Sequence, residues 1–168
     1  MNAKIEKVTF DTIRRSTPPY SVSRPPIAYS ILLIEDEGSM GQVTQLLLES
    51  CGYEVTVAAD GAQGLRLVKA LSPNLIICDV NMPGMSGVDV VQALRQSDTT
   101  RHIPVVFLSG FISDEQKKEA EKLGVRAFLG KPCSFEEMKQ VITECRHAGS
   151  GKTQSAGAPP PLMMSLSA

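Results

Sequence analysis

No stretch of the chain stays apolar over the roughly 20 residues that a bilayer-spanning helix needs, so a membrane protein is not expected. The N-terminus has no apolar core of the secretory kind, and Glu6 and Asp11 fit poorly in a transit peptide. The cytoplasm is the expected compartment. Cys51, Cys78, Cys133 and Cys145 form neither a CxxC pair nor a metal-ligand spacing, and three of them lie within apolar patterns, so they read as reduced core thiols. An excess of positive charge is also missing where the chain would fold. Residues 1–29 carry five basic and two acidic residues, whereas 30–147 carry 11 basic and 16 acidic, a net of −5. That balance is opposite to the usual one for nucleic-acid binding, and no direct nucleic-acid contact is expected.

What is present is an ordinary soluble composition, 42% hydrophobic and 21% charged over 168 residues, with room for one domain and its core. "STPPYSVSRPP" (16–26) and "AGSGKTQSAGAPPP" (148–161) are too rich in Pro, Ser, Gly and Ala to offset the entropy of ordering. The expected division is a basic, Pro/Ser-rich extension (1–29), a domain (30–147) and a flexible tail (148–168). A short amphipathic helix through Ile5, Val8 and Ile13 would be marginal unless docked. "GSGKT" (149–153) has Arg146 where a phosphate loop needs Gly and no strand before it, so it reads as tail.

Between the tails, "SILLI", "YEVTVA", "NLIICD", "IPVVFLS" and "VRAFL" alternate with stretches of helical period, and a fifth helix follows the last run. Asp60 with Gln63, Ser113 with Gln116 and Ser134 with Glu137 have capping-box spacing, while Gly52 and Gly124 mark helix ends. Strands apolar at nearly every residue belong in a parallel sheet covered on both faces. The expected fold is α/β, a doubly wound five-stranded sheet in the order 2-1-3-4-5, flavodoxin-like and three-layered. Sites in such sheets lie beyond the carboxyl ends of the strands, at the switch point between strands 1 and 3.

Strand 1 ends in Glu35, Asp36 and Glu37, and strand 3 ends at Asp79. Acids crowded together repel unless a cation neutralises them, and an oxygen-only set suits a hard ion such as Mg²⁺. Strand 4 supplies the Ser109 hydroxyl followed by Gly110, and strand 5 is followed by Lys131. Acids, hydroxyl, backbone N–H and ammonium together suit phosphoryl transfer, with Asp79 as the nucleophile.

"EDE", "DVNMPGMSG", "LSG" and "KP", in this order and spacing, resemble the response-regulator receiver family of two-component signalling, over about residues 30–147. The resemblance implies that Asp79 is the phosphoacceptor, Asp36 a direct metal ligand, Glu35 its acidic partner acting through water, and Asn81 a ligand through its backbone carbonyl. It further implies that Ser109 and Lys131 contact the phosphoryl group and that Phe128 is the aromatic switch. Phe128 stands where Tyr is frequent and has no hydroxyl, so a switch there must act by packing.

The implied function is a Mg²⁺-dependent, stand-alone phosphoacceptor switch with slow autodephosphorylation, and not a turnover enzyme. An aspartate-nucleophile phosphatase would need a second Asp where Asn81 stands. The alternative is a receiver-fold interaction domain independent of phosphorylation. Implied partners are a histidine kinase or histidine phosphotransfer protein, a downstream protein on the face of helix 4, strand 5 and helix 5, and a second copy in a phosphorylation-dependent homodimer. His102 and His147 read as surface residues. Phe111, two residues past Ser109, is expected to shield the phosphoryl group from water.

Overall fold

The computed structural model describes residues 29–150. Five strands alternate with five helices: β1 (Ser30–Ile34), α1 (Gly38–Ser50), β2 (Glu54–Ala58), α2 (Gly61–Leu71), β3 (Leu75–Cys78), α3 (Gly87–Arg95), β4 (Val105–Ser109), α4 (Asp114–Lys122), β5 (Ala127–Gly130) and α5 (Phe135–Ser150). All strand pairs are parallel, and the sheet order is β2-β1-β3-β4-β5. The fold read from the sequence is the one observed. The readings of the N-terminal helix, the first linker and the "PLMMSLSA" end lie outside the described residues, as do residues 151–161 of the second linker, with most of "GSGKT"; residues 148–150, read as the start of the flexible tail, instead complete α5.

Successive side chains of a strand point to opposite faces, so a strand buried on both sides feeds two cores. In β1, Leu32 and Ile34 enter one cluster with Val68 of α2, Val91 and Leu94 of α3 and Ala120 of α4. Ile31 and Leu33 enter the other, with Leu48 of α1 and Met138, Val141 and Ile142 of α5. Each large apolar side chain so buried contributes about 1.5–3 kcal/mol, and this burial outweighs the modest helix propensity of segments such as α3.

The helix ends follow their chemistry. Ser113 and Gln116 make a reciprocal capping box at α4, and the Glu137 carboxylate accepts from the N–H and hydroxyl of Ser134 before α5. Asp60 caps α2, but Gln63 reaches back to the N–H of Ala59 instead of that of Asp60, so this box is only half closed. A box not foreseen, Ser86 with Asp89, starts α3. Gly52 and Gly124 take positive φ, as their placement at helix ends requires.

One expectation is corrected. The thiols are free, but only Cys78 and Cys145 are buried; Cys133 is half-buried and Cys51 is exposed. Cys51 caps the end of α1, three residues past the last buried position of that helix, Leu48. Tyr29, assigned from sequence to the extension, packs on the α1/α5 side. Its ring meets Tyr53 edge-on at 6.2 Å, and burial pushes its phenol up to about 12.

Candidate functional site

The sheet ladder continues one residue past several strand ends, and this fixes where the functional side chains emerge. The Glu35 N–H donates to the Ala58 carbonyl, Asp79 N–H to Ile34 and Lys131 N–H to Ser109, at 2.9–3.0 Å. Each of these residues is therefore set at the carboxyl edge by backbone bonds. Behind Asp79 the chain turns into α3, and the Gly87 N–H donates to the Val80 carbonyl at 2.9 Å. A Cβ on Gly87 would collide with the Asp79 carbonyl oxygen, so only glycine lets α3 start this close to the site.

Glu35, Asp36 and Asp79 each present a carboxylate oxygen within 4.8 Å of the others. Glu35 and Asp79 are buried and Asp36 is exposed. The Lys131 ammonium lies between the two buried acids, 2.6 Å from Glu35 Oε2 and 2.6 Å from Asp79 Oδ2. Burial alone would lower the pKa of this ammonium. Its hydrogen bonds to Asp79 and Glu35, with their charges, outweigh burial and raise it. It is thus cationic throughout the neutral range. One ammonium faces three carboxyl groups, and the surplus of hard oxygen donors fits a divalent ion of the Mg²⁺ type.

The other side of the site is neutral. The Asn81 N–H donates to Asp79 Oδ1 at 3.0 Å, and the Asn81 carboxamide donates to Ser109 Oγ at 3.2 Å and to the Phe111 carbonyl at 2.6 Å. The Ser109 hydroxyl also donates to the Phe111 carbonyl, at 2.8 Å. A hydroxyl has one proton. In this state that proton is committed to the β4–α4 loop and not to the carboxylates.

Phe128 is half-buried, edge-on to Phe107 at 5.8 Å, with Lys117 Nζ 6.0 Å from its ring centre. Beside it lies an apolar cavity of about 250 Å³ bounded by Val80, Ser109, Phe111 and Ile112. Phe111 is 71% exposed at its mouth. Cys78 shows no reactive character. Burial, then the charges of Asp79 and Glu35, push its thiol up, so it stays protonated and packs. His102 and His147 are exposed, as read.

The structure thus brings Glu35, Asp36, Asp79, Asn81, Ser109 and Lys131 to one edge, with Phe128 farther along the sheet. Sequence reasoning did not find the Asn81 carboxamide contacts or the side of α1 that leaves Met40, Val43 and Leu47 exposed near Lys131, with Leu46 exposed as well. The α1 signal was present, since apolar residues there cover more of the helix than one buried stripe needs.

The model of the response regulator receiver domain matches residues 31–143. This chain belongs to that family. The receiver domain is 30% identical over 113 residues to the chemotaxis protein CheY of Pseudomonas aeruginosa, covering 67% of this chain and 91% of that one. It is 37% identical over 121 residues to the uncharacterized transcriptional regulatory protein YrkP of Bacillus subtilis, covering 71% of this chain. The chain spans about half the length of YrkP, 51%. Among solved structures, Vibrio cholerae chemotaxis protein CheY4 superposes with a TM-score of 0.67 at 31% identity, over 70% of this chain and 98% of that one. Among the described residues, no helix of the receiver domain is long and apolar enough to cross a membrane.

Proposed function

We propose that the receiver domain is a phosphoacceptor switch in which Asp79 takes a phosphoryl group from a phosphohistidine partner. The observation that carries this reading is the buried Asp79 carboxylate, held by the Asn81 N–H and the Lys131 ammonium inside a cluster of oxygen donors. These contacts orient the carboxylate, and the low exposure of Asp79 limits competing water. An Asp79 oxygen attacks phosphorus, the P–N bond breaks, and its electron pair leaves on the imidazole nitrogen, which takes a proton from solvent. Water later attacks the acyl phosphate, returning the carboxylate and inorganic phosphate.

Asp36 and Asp79, with the Asn81 carbonyl and with Glu35 through water, would hold Mg²⁺. When bound, the ion supplies positive charge against the phosphoryl oxygens. Lys131, now shared between two carboxylates, is the chain's own cation for those oxygens. Ser109 can donate to them only by releasing the Phe111 carbonyl, so phosphorylation and movement of the β4–α4 loop are one exchange of a single proton donor. Phe128 and the adjoining cavity give that movement room, and the outcome is a shift of population toward the form with the better contacts.

The donor must reach the carboxyl edge. The exposed apolar side of α1 borders Lys131 and Pro132 there, and we place the donor on it. The output partner belongs on the face of α4, β5 and α5, where Lys118 and Lys122 are exposed. Both partners place the domain's action in the cytoplasm. Charge reversal at Lys117, Lys118 and Lys122 that leaves downstream binding unchanged would remove that face from the scheme.

The deciding experiment is intact mass after incubation with a small-molecule phosphodonor, with and without Mg²⁺, for wild type and Asp79→Asn. Addition of one phosphoryl group to wild type alone, dependent on Mg²⁺, is the expected result. Addition to Asp79→Asn would move the acceptor elsewhere. No addition to wild type, with donor activity verified on another receiver domain, would leave a constitutive binding module.

A further inference from the structure

The resting hydrogen bonds around Ser109 do not stop at the loop. The Gln116 side chain has two jobs at the first turn of α4. Its Oε1 accepts from the Ser113 N–H at 3.0 Å, closing the capping box, while its Nε2 donates to Asn81 Oδ1 at 3.4 Å. Asn81 is bonded in turn to Ser109 Oγ and the Phe111 carbonyl through its Nδ2, and to Asp79 Oδ1 through its backbone N–H. A continuous chain of hydrogen bonds therefore runs from the Asp79 carboxylate to the residue that starts α4.

We propose that Gln116 and the Asn81 carboxamide form a latch that holds the β4–α4 loop in its resting position and so opposes the turn of Ser109 toward Asp79. The proposal deepens the phosphoacceptor reading and rests on it for its kinetic consequence. Three properties make the pair suited to the task. Gln116 orients Asn81: an amide oxygen that accepts from Gln116 leaves both Asn81 N–H groups for the loop and Ser109. Both bonds to the Phe111 carbonyl come from groups near the acceptor, so this carbonyl is the point at which the loop is held. And Gln116 is itself part of a helix cap, so releasing it alters the start of the helix assigned to the output face. Gln116 and Asn81 act here as positioning residues; neither side chain is assigned contact with the reacting atoms.

The two jobs of Gln116 can be separated. In Gln116→Glu, a carboxylate oxygen still accepts from the Ser113 N–H, and negative charge at a helix N-terminus favours the cap. A carboxylate cannot donate to Asn81 Oδ1, so the latch bond is lost while the cap is kept. The added charge repels an anionic phosphodonor, so faster phosphorylation could not arise from that charge. Gln116→Ala, which breaks the same bond without adding charge but also loses the cap, is the companion variant.

Two measurements read the result. The first is hydrogen exchange of the Asn81 carboxamide, whose N–H groups are held by Ser109 Oγ and the Phe111 carbonyl, in unphosphorylated protein, and the second is the initial rate of phosphorylation by acetyl phosphate with Mg²⁺. Exchange and phosphorylation should each rise about two- to tenfold in Gln116→Glu, the equilibrium effect of losing one neutral hydrogen bond, and Gln116→Ala should move both in the same direction. Unchanged exchange of the Asn81 carboxamide in Gln116→Glu would overturn the latch. Faster exchange with an unchanged phosphorylation rate would overturn its coupling to Asp79. Wild-type protein that takes up no phosphoryl group sinks the phosphoacceptor reading and with it that coupling, while the exchange experiment still decides whether the latch exists.

Discussion

The two ends of the same central strands solve opposite electrostatic problems. At the amino edge, the Ser30 N–H and hydroxyl both meet Asn74 Oδ1, at 2.9 and 3.0 Å, and the Asn74 N–H returns to the Ser30 carbonyl. The donors and acceptors of this pair are neutral and matched to one another. At the carboxyl edge, three carboxyl groups meet one ammonium. The difference separates architecture from chemistry: the matched edge ties β1 to β3, and the mismatched edge carries a standing demand for a further cation.

Removing the cation should have the largest effect on stability. Lys131→Ala leaves Glu35 and Asp79 facing each other, at a cost of about 2–3 kcal/mol, the range for a charged hydrogen-bonded group losing its partner. Denaturant unfolding would measure it. Mg²⁺ should raise the variant's midpoint more than that of wild type. A deficit independent of Mg²⁺ would mean that the two acids do not compete for a cation.

Asn74→Ala breaks the matched edge instead. The expected cost is about 1–2 kcal/mol, from hydrogen bonds among neutral groups, with no Mg²⁺ dependence and no change in phosphorylation rate. A change in that rate would show that the two edges are coupled through the strands.

How far these edges could be read from sequence differs in the same way. The carboxyl edge was legible because unlike residues recur at the ends of apolar runs: Asp36, Asp79, Ser109 and Lys131 stand out against Ile, Leu, Val and Phe. The strand order follows from the alternation with helices. Not legible were contacts between polar residues distant in the chain, such as Ser30 with Asn74 or Asn81 with Gln116, since neither position breaks a periodic pattern. Ser86 with Asp89 escaped because the box uses Asp where Glu or Gln was sought. Tyr29 was misassigned because composition shifts smoothly across it, while its packing depends on Tyr53 and α5.

Smaller effects sharpen the comparison on the site side. Phe111→Glu replaces an exposed apolar side chain at the mouth of the site with a carboxylate that can orient water. Decay of the phosphorylated form should be faster in the variant, and equal decay rates would remove Phe111 from the shielding role. The smallest effect concerns the α5 cap. Hydrogen bonds from the Ser134 backbone and side chain hold the Glu137 carboxyl below its ordinary range. A depressed folded value means that the cap's contribution is present above the ordinary carboxylate range and is lost as pH falls through and below it. Glu137→Gln, which keeps the size of the side chain and removes its charge, should therefore destabilise slightly at neutral pH and lose that difference in acid, as thermal melts at the two pH values would show.

The exposed thiol of Cys51, a residue the sequence places in the core, has a practical consequence for any test of self-association. It lies at the far end of α1 from the residues at the carboxyl edge and is open to solvent. A surface thiol oxidises to an intermolecular disulfide on storage in air. Such a covalent pair would migrate as a dimer whatever the state of Asp79. Sizing experiments that ask whether phosphorylation brings two copies together therefore need Cys51→Ser protein or a reductant throughout, and the same thiol, left in place, offers a point for attaching a fluorophore.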